Sequence, residues 1–286
     1  MLVQADELAA ASDHPDLVIV DCRFSLLDPE AGKKAWQKDH IPGAYYAHLD
    51  QDLAGPITMN SGRHPLPDPE QFATLLGCWG VTPETHVVAY DGAGGGVAAR
   101  LWWLLCWVGH EQVTLLDGGY PVWEDQKLPV SADQPVQHQG RYPVTPGGMP
   151  VVSTAEVEAG LQAGTLVLLD AREADRFAGK AEPIDSQAGH ILGSHNRPFR
   201  TNLDALGRFR AAADLKESFR ELLSDTDRQL VSMCGSGVTA CQNIFAIELA
   251  SGDADEVAVP ALYVGSWSEW IRSADRPVET IAITVN

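Results

Sequence analysis

The chain has 286 residues, 45% hydrophobic and 21% charged, which are ordinary proportions for a globular protein of about two domains. Its formal charge of −19 argues against a nucleic acid or an anionic membrane surface as a partner, and no hydrophobic run approaches the ~20 residues that span a bilayer. Five cysteines without a C-x-x-C pair, and an N-terminus without a signal-peptide pattern, favour free thiols in a reducing, cytoplasmic setting.

The first half of the chain begins with alternating strand and helix signals. Leu17–Arg23 is a β-branched run that ends in polar residues, which is typical of a buried strand. A polar, helix-compatible stretch leads to a turn at residues 40–44 (His-Ile-Pro-Gly-Ala). A second strand and a glycine-rich loop occupy residues 86–96, and a helix is predicted over 97–108. This alternation predicts parallel strands in an α/β layer architecture.

The second half repeats this pattern. Leu166–Arg172 resembles the first strand, and residues 190–194 (His-Ile-Leu-Gly-Ser) resemble the turn at 40–44. The aspartate at the strand end precedes the histidine by 19 positions in one half and by 20 in the other. Residues 113–123 likewise parallel residues 261–270. Matched order and spacing indicate an internal duplication.

The duplication defines the predicted domains. We assign residues 1–135 to an N-terminal domain, residues 136–150 to a linker rich in Pro, Gly and Gln, and residues 151–286 to a C-terminal domain. Ser153 and Glu156 have the spacing of a capping box that opens the first helix of the second domain. Because His40 and His190 recur in both halves, we interpret them as structural residues.

One cysteine stands where a strand meets a helix. Residues 230–233 read as the end of a buried strand, Cys234 begins a glycine-bearing loop, and residues 238–250 read as a helix. Such a loop directs backbone N–H groups and the positive end of the helix dipole into one concavity. A cysteine there is expected to act as a nucleophilic thiolate. The first half has Asp91 at the corresponding place.

These motifs resemble those of the tandem-domain, rhodanese-like sulfurtransferases. The resemblance rests on the Asp-x-Arg strand ends, the repeated His-Ile-x-Gly turns and the Gly-Ser-Trp-Ser-Glu-Trp stretch at 265–270. The loop Cys234–Ala240 (Cys-Gly-Ser-Gly-Val-Thr-Ala) is similar to the active loop of the 3-mercaptopyruvate sulfurtransferases. The thiosulfate enzymes commonly carry basic residues at the two positions after the cysteine. The resemblance implies two rhodanese-like domains, each a parallel sheet flanked by helices on both faces, with the catalytic cysteine only in the second.

The chemistry implied is a two-step sulfur transfer. Cys234 would attack the outer sulfur of a small anionic donor and keep it as a persulfide, stabilised by the loop amides. An acceptor such as cyanide, a small thiol or a reduced thioredoxin-like protein would then take the sulfur. No metal or organic cofactor is expected. The loop residues expected to surround the substrate are Gly235, Gly237, Val238 and Thr239.

The resemblance also implies a serine-protease-like triad that protonates the departing enolate. Ser236 would be its serine, His64 best matches its histidine, and Asp50 best matches its aspartate, with Asp52 nearby. The alternative interpretation is that Ser236 only tightens the loop.

A cation is needed for the anionic donor, and Arg176 matches a substrate-binding arginine of the family. Its alternative is a surface ion pair with a neighbouring carboxylate. A second family arginine is missing, because Ile184 or Asp185 occupies its place after the Glu-Pro pair. Lys180 and Arg200 are candidates to replace it.

Three other functions remain to be weighed. Thiosulfate could be the preferred donor with the same Cys234. A related phosphatase would need an arginine six positions after the cysteine, but Ala240 stands there. A non-enzymatic sulfur-carrier or binding module is compatible with a first domain that lacks the cysteine.

Overall fold

The computed structural model describes residues 1–223, 227–252 and 258–281, and it separates into two compact units. The first unit comprises Met1–Gly55, Leu66–Met149 and Asp204–Phe209. The second unit comprises Pro56–Pro65, Pro150–Leu203 and the described residues from Arg210 onward. These units differ from a simple division at the linker in two short segments, Pro56–Pro65 and Asp204–Phe209. Each segment packs with the unit formed mainly by the other half of the chain.

The first unit is built on a five-stranded parallel sheet in the order β1-β5-β4-β2-β3. Its strands are β1 (Leu2–Val3), β2 (Leu17–Asp21), β3 (Tyr45–Tyr46), β4 (His86–Tyr90) and β5 (Val113–Leu116). Its helices are α1 (Ala5–Ala11), α2 (Ala31–Lys38), α3 (Pro69–Cys78), α4 (Gly96–Trp107) and α5 (Gly119–Asp125). Four of the five residues of β2 and of β4 are buried, as expected for central strands covered on both faces.

The second unit has a parallel sheet in the order β6-β11-β10-β7-β9 and a two-stranded antiparallel pair, β8 with β12. Its strands are β6 (Val151–Val152), β7 (Leu166–Asp170), β8 (His190–Ile191), β9 (His195–Asn196), β10 (Gln229–Met233), β11 (Ala261–Tyr263) and β12 (Val278–Glu279). Its helices are α6 (Thr154–Ala163), α7 (Ala174–Phe177), α8 (Ala212–Leu223), α9 (Thr239–Ser251) and α10 (Ser266–Trp270), with a 3₁₀ helix at Phe199–Asn202.

The two parallel sheets have the same topology, strand for strand. β10 occupies in the second unit the central position that β4 occupies in the first, between the counterparts of β2 and β5. The duplication and the α/β class predicted from the sequence are thereby confirmed. The capping box is also present, because the Ser153 side chain accepts from the Glu156 amide and the Glu156 carboxylate accepts from the Ser153 amide at 2.7 Å.

The repeated Asp-x-Arg strand ends brace the loops that follow them. Arg23 binds Asp21 and donates to the carbonyl of Asp39, the residue before His40, at 2.5 Å. Arg172 binds Asp170 and donates to the carbonyl of Gly189, the residue before His190, at 2.8 Å. The same brace in both units supports a structural role for these pairs.

The repeated histidines are buried and bind backbone carbonyls. Nδ1 of His40 lies 2.6 Å from the carbonyl oxygen of Trp36, and Nδ1 of His190 lies 2.8 Å from that of Phe177. Each imidazole also stacks on the ring of that same residue. These contacts fit the structural interpretation of both histidines.

Candidate active site

Cys234 lies at the carboxyl end of the central strand β10, before α9, and is 2% exposed. The Ser266 side chain and the Trp267 backbone, at the start of α10, fix its position. The Cys234 N–H donates to Oγ of Ser266 at 3.1 Å, and the Cys234 carbonyl accepts from the Trp267 N–H at 3.0 Å. The nucleophile predicted from the sequence is therefore held by its backbone on both sides.

The loop after Cys234 turns tightly around the sulfur. The Ser236 N–H points at Sγ of Cys234, with 3.4 Å between nitrogen and sulfur. Gly237 has φ +76°, and a Cβ there would lie 2.7 Å from the carbonyl oxygen of Val264. A side chain at this position would therefore combine backbone strain with a steric clash. Val238 and Thr239, also predicted to surround the substrate, lead directly into α9.

Ser236 and His64 come together beside the cysteine. Oγ of Ser236 lies 2.7 Å from Nδ1 of His64, and the two residues are 4% and 2% exposed. His64 belongs to the segment Pro56–Pro65, which is part of the second unit although it comes from the first half of the chain. The serine–histidine pair is thus formed within the unit that carries Cys234.

The segment around His64 is fastened to α10. The Gly62 N–H donates to Oε2 of Glu269 at 3.2 Å, and the Arg63 N–H donates to Oγ of Ser268 at 3.0 Å. The Ser268 N–H in turn donates to the Gly235 carbonyl at 2.9 Å, so one residue links the cysteine loop to the His64 segment. The other carboxylate oxygen of Glu269 accepts from the Thr154 hydroxyl.

The predicted triad aspartate belongs to the other unit. Asp50 is exposed, and its N–H donates to Nδ1 of His48 at 3.1 Å. The alternative, Asp52, accepts from the His48 N–H at 2.7 Å, and burial raises its pKa. Their role towards His64 stays a prediction.

Arg176, on α7, makes ion pairs other than those expected from its sequence neighbours. Its Nε and Nη2 bind the Glu182 carboxylate, and Nη2 also binds Oδ2 of Asp185 at 2.9 Å. Burial alone would raise the pKa of Glu182, but the Arg176 guanidinium and two backbone N–H groups outweigh it and lower this pKa. Lys180 is exposed, and the exposed Arg200 pairs with Glu173 at 3.1 Å.

A second arginine that sequence reasoning missed lies next to Arg176. Nη1 of Arg63 donates to Oδ1 of Asp185 at 2.6 Å. A Cβ built on Gly235 would lie 3.3 Å from Nη2 of Arg63 and 3.6 Å from Nη1 of Arg176. Both guanidinium groups therefore border the loop residue that follows Cys234. The available signal was that Arg63 immediately precedes His64.

The loop of the first unit that corresponds to the cysteine loop is filled by its own carboxylate. Oδ1 of Asp91 accepts from the N–H groups of Ala93 and Gly95 at 2.8 and 2.9 Å. Oδ2 accepts from those of Val97 and Ala98 at 2.9 and 3.2 Å. A loop with this spacing can thus gather four amides on an anion at the strand end.

The described residues lack both a cluster of metal-binding side chains and a membrane-spanning helix. No group of three or more His, Cys, Asp or Glu side chains there is arranged to hold a metal ion. None of the helices in the described part of the chain is long and apolar enough to cross a membrane.

The rhodanese-like domain family matches the chain twice, at residues 4–126 and 153–273, and the chain belongs to this family. It is 44% identical over 282 residues to a probable 3-mercaptopyruvate sulfurtransferase of Pseudomonas aeruginosa, covering 98% of both chains. It is 34% identical over 287 residues to a putative thiosulfate sulfurtransferase of Mycobacterium tuberculosis, covering 97% of this chain and 96% of the relative. The protein is accordingly a sulfurtransferase with two rhodanese-like domains.

A solved structure supports the same assignment. The crystal structure of SseA, a 3-mercaptopyruvate sulfotransferase from Escherichia coli, superposes with a TM-score of 0.79 at 29% identity. The match covers 93% of this chain and 98% of that one.

Proposed function

We propose that the protein transfers sulfur from 3-mercaptopyruvate to a thiol or cyanide acceptor through a persulfide on Cys234. The observation that carries the proposal is the contact of 2.7 Å between Oγ of Ser236 and Nδ1 of His64, because the N–H of the same serine points at Sγ of Cys234. A proton-transfer pair next to a nucleophile suits a donor whose leaving group must be protonated on carbon. The 44% identical relative carries the name of that activity.

The first step forms the persulfide. The Cys234 thiolate attacks the sulfur of the donor, a sulfur–sulfur bond forms, and the carbon–sulfur bond breaks. The electron pair of the broken bond leaves with the carbon as the enolate of pyruvate. The Ser236 hydroxyl protonates this carbon, and His64 returns a proton to Ser236. Backbone N–H groups of the loop stabilise the charge on the outer sulfur.

The second step returns the enzyme to its starting state. An acceptor thiolate attacks the outer sulfur of Cys234, the persulfide bond breaks, and its electron pair restores the Cys234 thiolate. A small thiol or a reduced thioredoxin-like protein is the acceptor class we propose, with cyanide as a laboratory acceptor. A reducing, cytoplasmic setting is consistent with the five cysteines, all of which are free.

The test of the persulfide is mass spectrometry of the intact protein after brief exposure to 3-mercaptopyruvate. We expect one added sulfur atom on the wild type and on Cys78→Ser, which changes a half-buried cysteine outside the loop. Cys234→Ser should gain none. A wild type that gains no sulfur from this donor would overturn the proposal.

A second measurement tests the serine–histidine pair. His64→Ala and Ser236→Ala should slow persulfide formation from 3-mercaptopyruvate by about 10²–10⁴-fold, the usual range for a lost general acid. Transfer from a persulfide already formed should keep its rate, because that step protonates no carbon. Equal slowing of both steps would indicate that the pair only shapes the loop.

The rival donor is thiosulfate, whose name the Mycobacterium tuberculosis relative carries. Comparing kcat/KM for the two donors with the same acceptor decides between them. We expect 3-mercaptopyruvate to be preferred, because Gly235 and Ser236 are neutral where the thiosulfate enzymes commonly have basic residues. A clear preference for thiosulfate would overturn the donor assignment while leaving the persulfide chemistry intact.

A further inference from the structure

Arg63 comes from a different part of the chain from Arg176, but both end at the same place. Asp185 bridges them, binding Nη1 of Arg63 through Oδ1 and Nη2 of Arg176 through Oδ2. The side chain of Asp185 is only 5% exposed, so the bridge is shielded from solvent. Asp185, one of the two residues that follow the Glu-Pro pair where the family has its second arginine, therefore binds an arginine from another part of the chain.

Donor groups remain available on both guanidiniums. Arg176 uses Nε and Nη2 for its carboxylate partners, and its Nη1 makes no hydrogen bond to the described residues. The Nε–H of Arg63 is buried and likewise lacks an acceptor within the described part of the chain. Nη2 of Arg63 and Nη1 of Arg176 border Gly235, as the positions around a Cβ built there indicate. These N–H groups converge on the residue next to the reactive sulfur.

We propose that Arg63 is the second donor-binding arginine of this enzyme, and that Arg63 and Arg176 together bind the carboxylate of the donor. The proposal rests on the proposed function, in which the donor is a 2-oxo acid with a thiol on its third carbon. Two guanidiniums beside Gly235 can direct N–H groups at one carboxylate, which is the geometry that arginine serves best. The donor sulfur then extends towards Cys234.

The charges around the pair specify the kind of anion. Three arginines, Arg63, Arg172 and Arg176, are matched in the same cluster by three carboxylates, Asp170, Glu182 and Asp185. The cluster is thus balanced and offers directional N–H groups without an excess of positive charge. A monoanionic carboxylate gains these hydrogen bonds, whereas a dianion such as thiosulfate finds little net charge to offset its desolvation.

Gly235 is part of the same proposed binding site for the donor carboxylate. A side chain at this position would enter the space that the two guanidiniums border, and a basic side chain would bring a third positive charge there. The neutral residue after Cys234 and the arginine supplied by residue 63 are therefore two parts of one arrangement. Arg63 thus supplies N–H groups from outside the loop, and Asp185 balances its charge.

The experiment compares donor kinetics of the wild type, Arg63→Gln and Arg63→Lys. Arg63→Gln should raise KM for 3-mercaptopyruvate by about 10- to 100-fold and leave kcat within about threefold, because one charged contact to the carboxylate is lost. Arg63→Lys should fall between, since it keeps the charge and loses the fork. The inhibition constant of pyruvate, a product with the same carboxylate, should rise in parallel. Arg220→Gln, which removes an exposed arginine paired with Glu217 on α8, is the matched control and should change none of these values.

A purely structural role for Arg63 has a different signature. If Arg63 only neutralises Asp185, then Asp185→Asn should cancel the defect, and Arg63→Gln/Asp185→Asn should match Asp185→Asn alone. We expect the double variant to keep the raised KM and the raised pyruvate inhibition constant. Cancellation of the defect, or an unchanged KM in folded Arg63→Gln, would overturn the proposal.

Failure of the proposal differs from failure of the proposed function. At saturating 3-mercaptopyruvate, Arg63→Gln should still gain one sulfur atom on Cys234, as the wild type does. If the wild type gains none, the donor or the persulfide is wrong. If both gain it at the same low donor concentration, only the role of Arg63 is wrong.

Discussion

Ser266 has a backbone conformation that glycine usually adopts, with φ +54°. The equivalent residue of the first unit is Gly119, with φ +61°. The serine hydroxyl makes two hydrogen bonds that glycine could not make. It donates to the Tyr263 carbonyl at 2.8 Å and accepts from the Cys234 N–H at 3.1 Å. Because this strain is retained beside the proposed nucleophile, and the duplicate unit has glycine instead, we infer that Ser266 positions Cys234.

Alanine variants are usually more stable than glycine variants, and at Ser266 we expect the opposite order of stability. Both variants lose two buried hydrogen bonds, but only glycine relieves the left-handed backbone, which costs a non-glycine residue about 1–2 kcal/mol. We expect Ser266→Gly to be more stable than Ser266→Ala by about 1 kcal/mol in urea unfolding. Both should form the Cys234 persulfide more slowly than the wild type. Alanine as the more stable variant, or unchanged persulfide rates, would contradict this role.

At the scale of single elements, the loops after β4 and β10 are two versions of one anion-binding turn. The Asp91 carboxylate is 3% exposed and satisfies four amides. The loop of the second unit keeps the turn but places a sulfur at the strand end. In the first loop the Asp91 carboxylate therefore takes the place of a bound anion and stabilises the turn.

Asp91→Asn should destabilise the protein by about 1–3 kcal/mol, because an NH₂ group would then face two backbone N–H donors inside the loop. Asp68→Asn is the matched control, since Asp68 accepts from two amides at the exposed start of α3, where asparagine caps equally well. The control should stay within about 0.5 kcal/mol of the wild type in urea unfolding. Equal effects of the two substitutions would show that the Asp91 hydrogen bonds contribute little.

Much of this element-level structure could be predicted because its causes are local. The apolar run at 166–170, the Ser153–Glu156 capping spacing and the strand–loop–helix around Cys234 each carry their own signal along the chain. The pairing of Arg63 with Asp185 carries none, because it joins residues 122 positions apart. The sequence shows that an arginine is missing after the Glu-Pro pair, but only the folded structure shows that Arg63 lies there, bound to Asp185.

At the scale of the whole molecule, the boundary between the units does not follow the chain. The segment Pro56–Pro65 has no periodic pattern, and its sequence position assigns it to the first domain. Its packing assigns it to the second unit, where Gly62 lies so close to Gly265 that a Cβ would be 2.4 Å from the Gly265 carbonyl oxygen. The duplication thus predicts the two sheets. Tertiary packing decides to which unit His64 and Arg63 belong.

The pH dependence of stability is another property of the whole chain, and two histidines of the first unit contribute to it. Burial lowers the pKa of His86, with a smaller contribution from the positive N-terminus, and burial also lowers the pKa of His110. In the unfolded chain both histidines have a pKa of about 6.5. The unfolded state therefore binds protons first as the pH falls, and stability is lost from about pH 6.5 downward.

We expect the midpoint of thermal unfolding to fall between pH 7.5 and pH 5.5 by less in His86→Gln/His110→Gln than in the wild type. The comparison uses the change with pH and not the absolute midpoint, because the substitutions alter packing at both pH values. Carboxyls whose pKa burial raises, Asp52 and Glu248 among them, act in the opposite direction, since the folded state protonates first. These groups are common to both proteins and cancel in the difference. An equal fall of the unfolding midpoint in the two proteins would contradict this prediction. It would mean that both histidines have the same pKa in the folded and the unfolded chain.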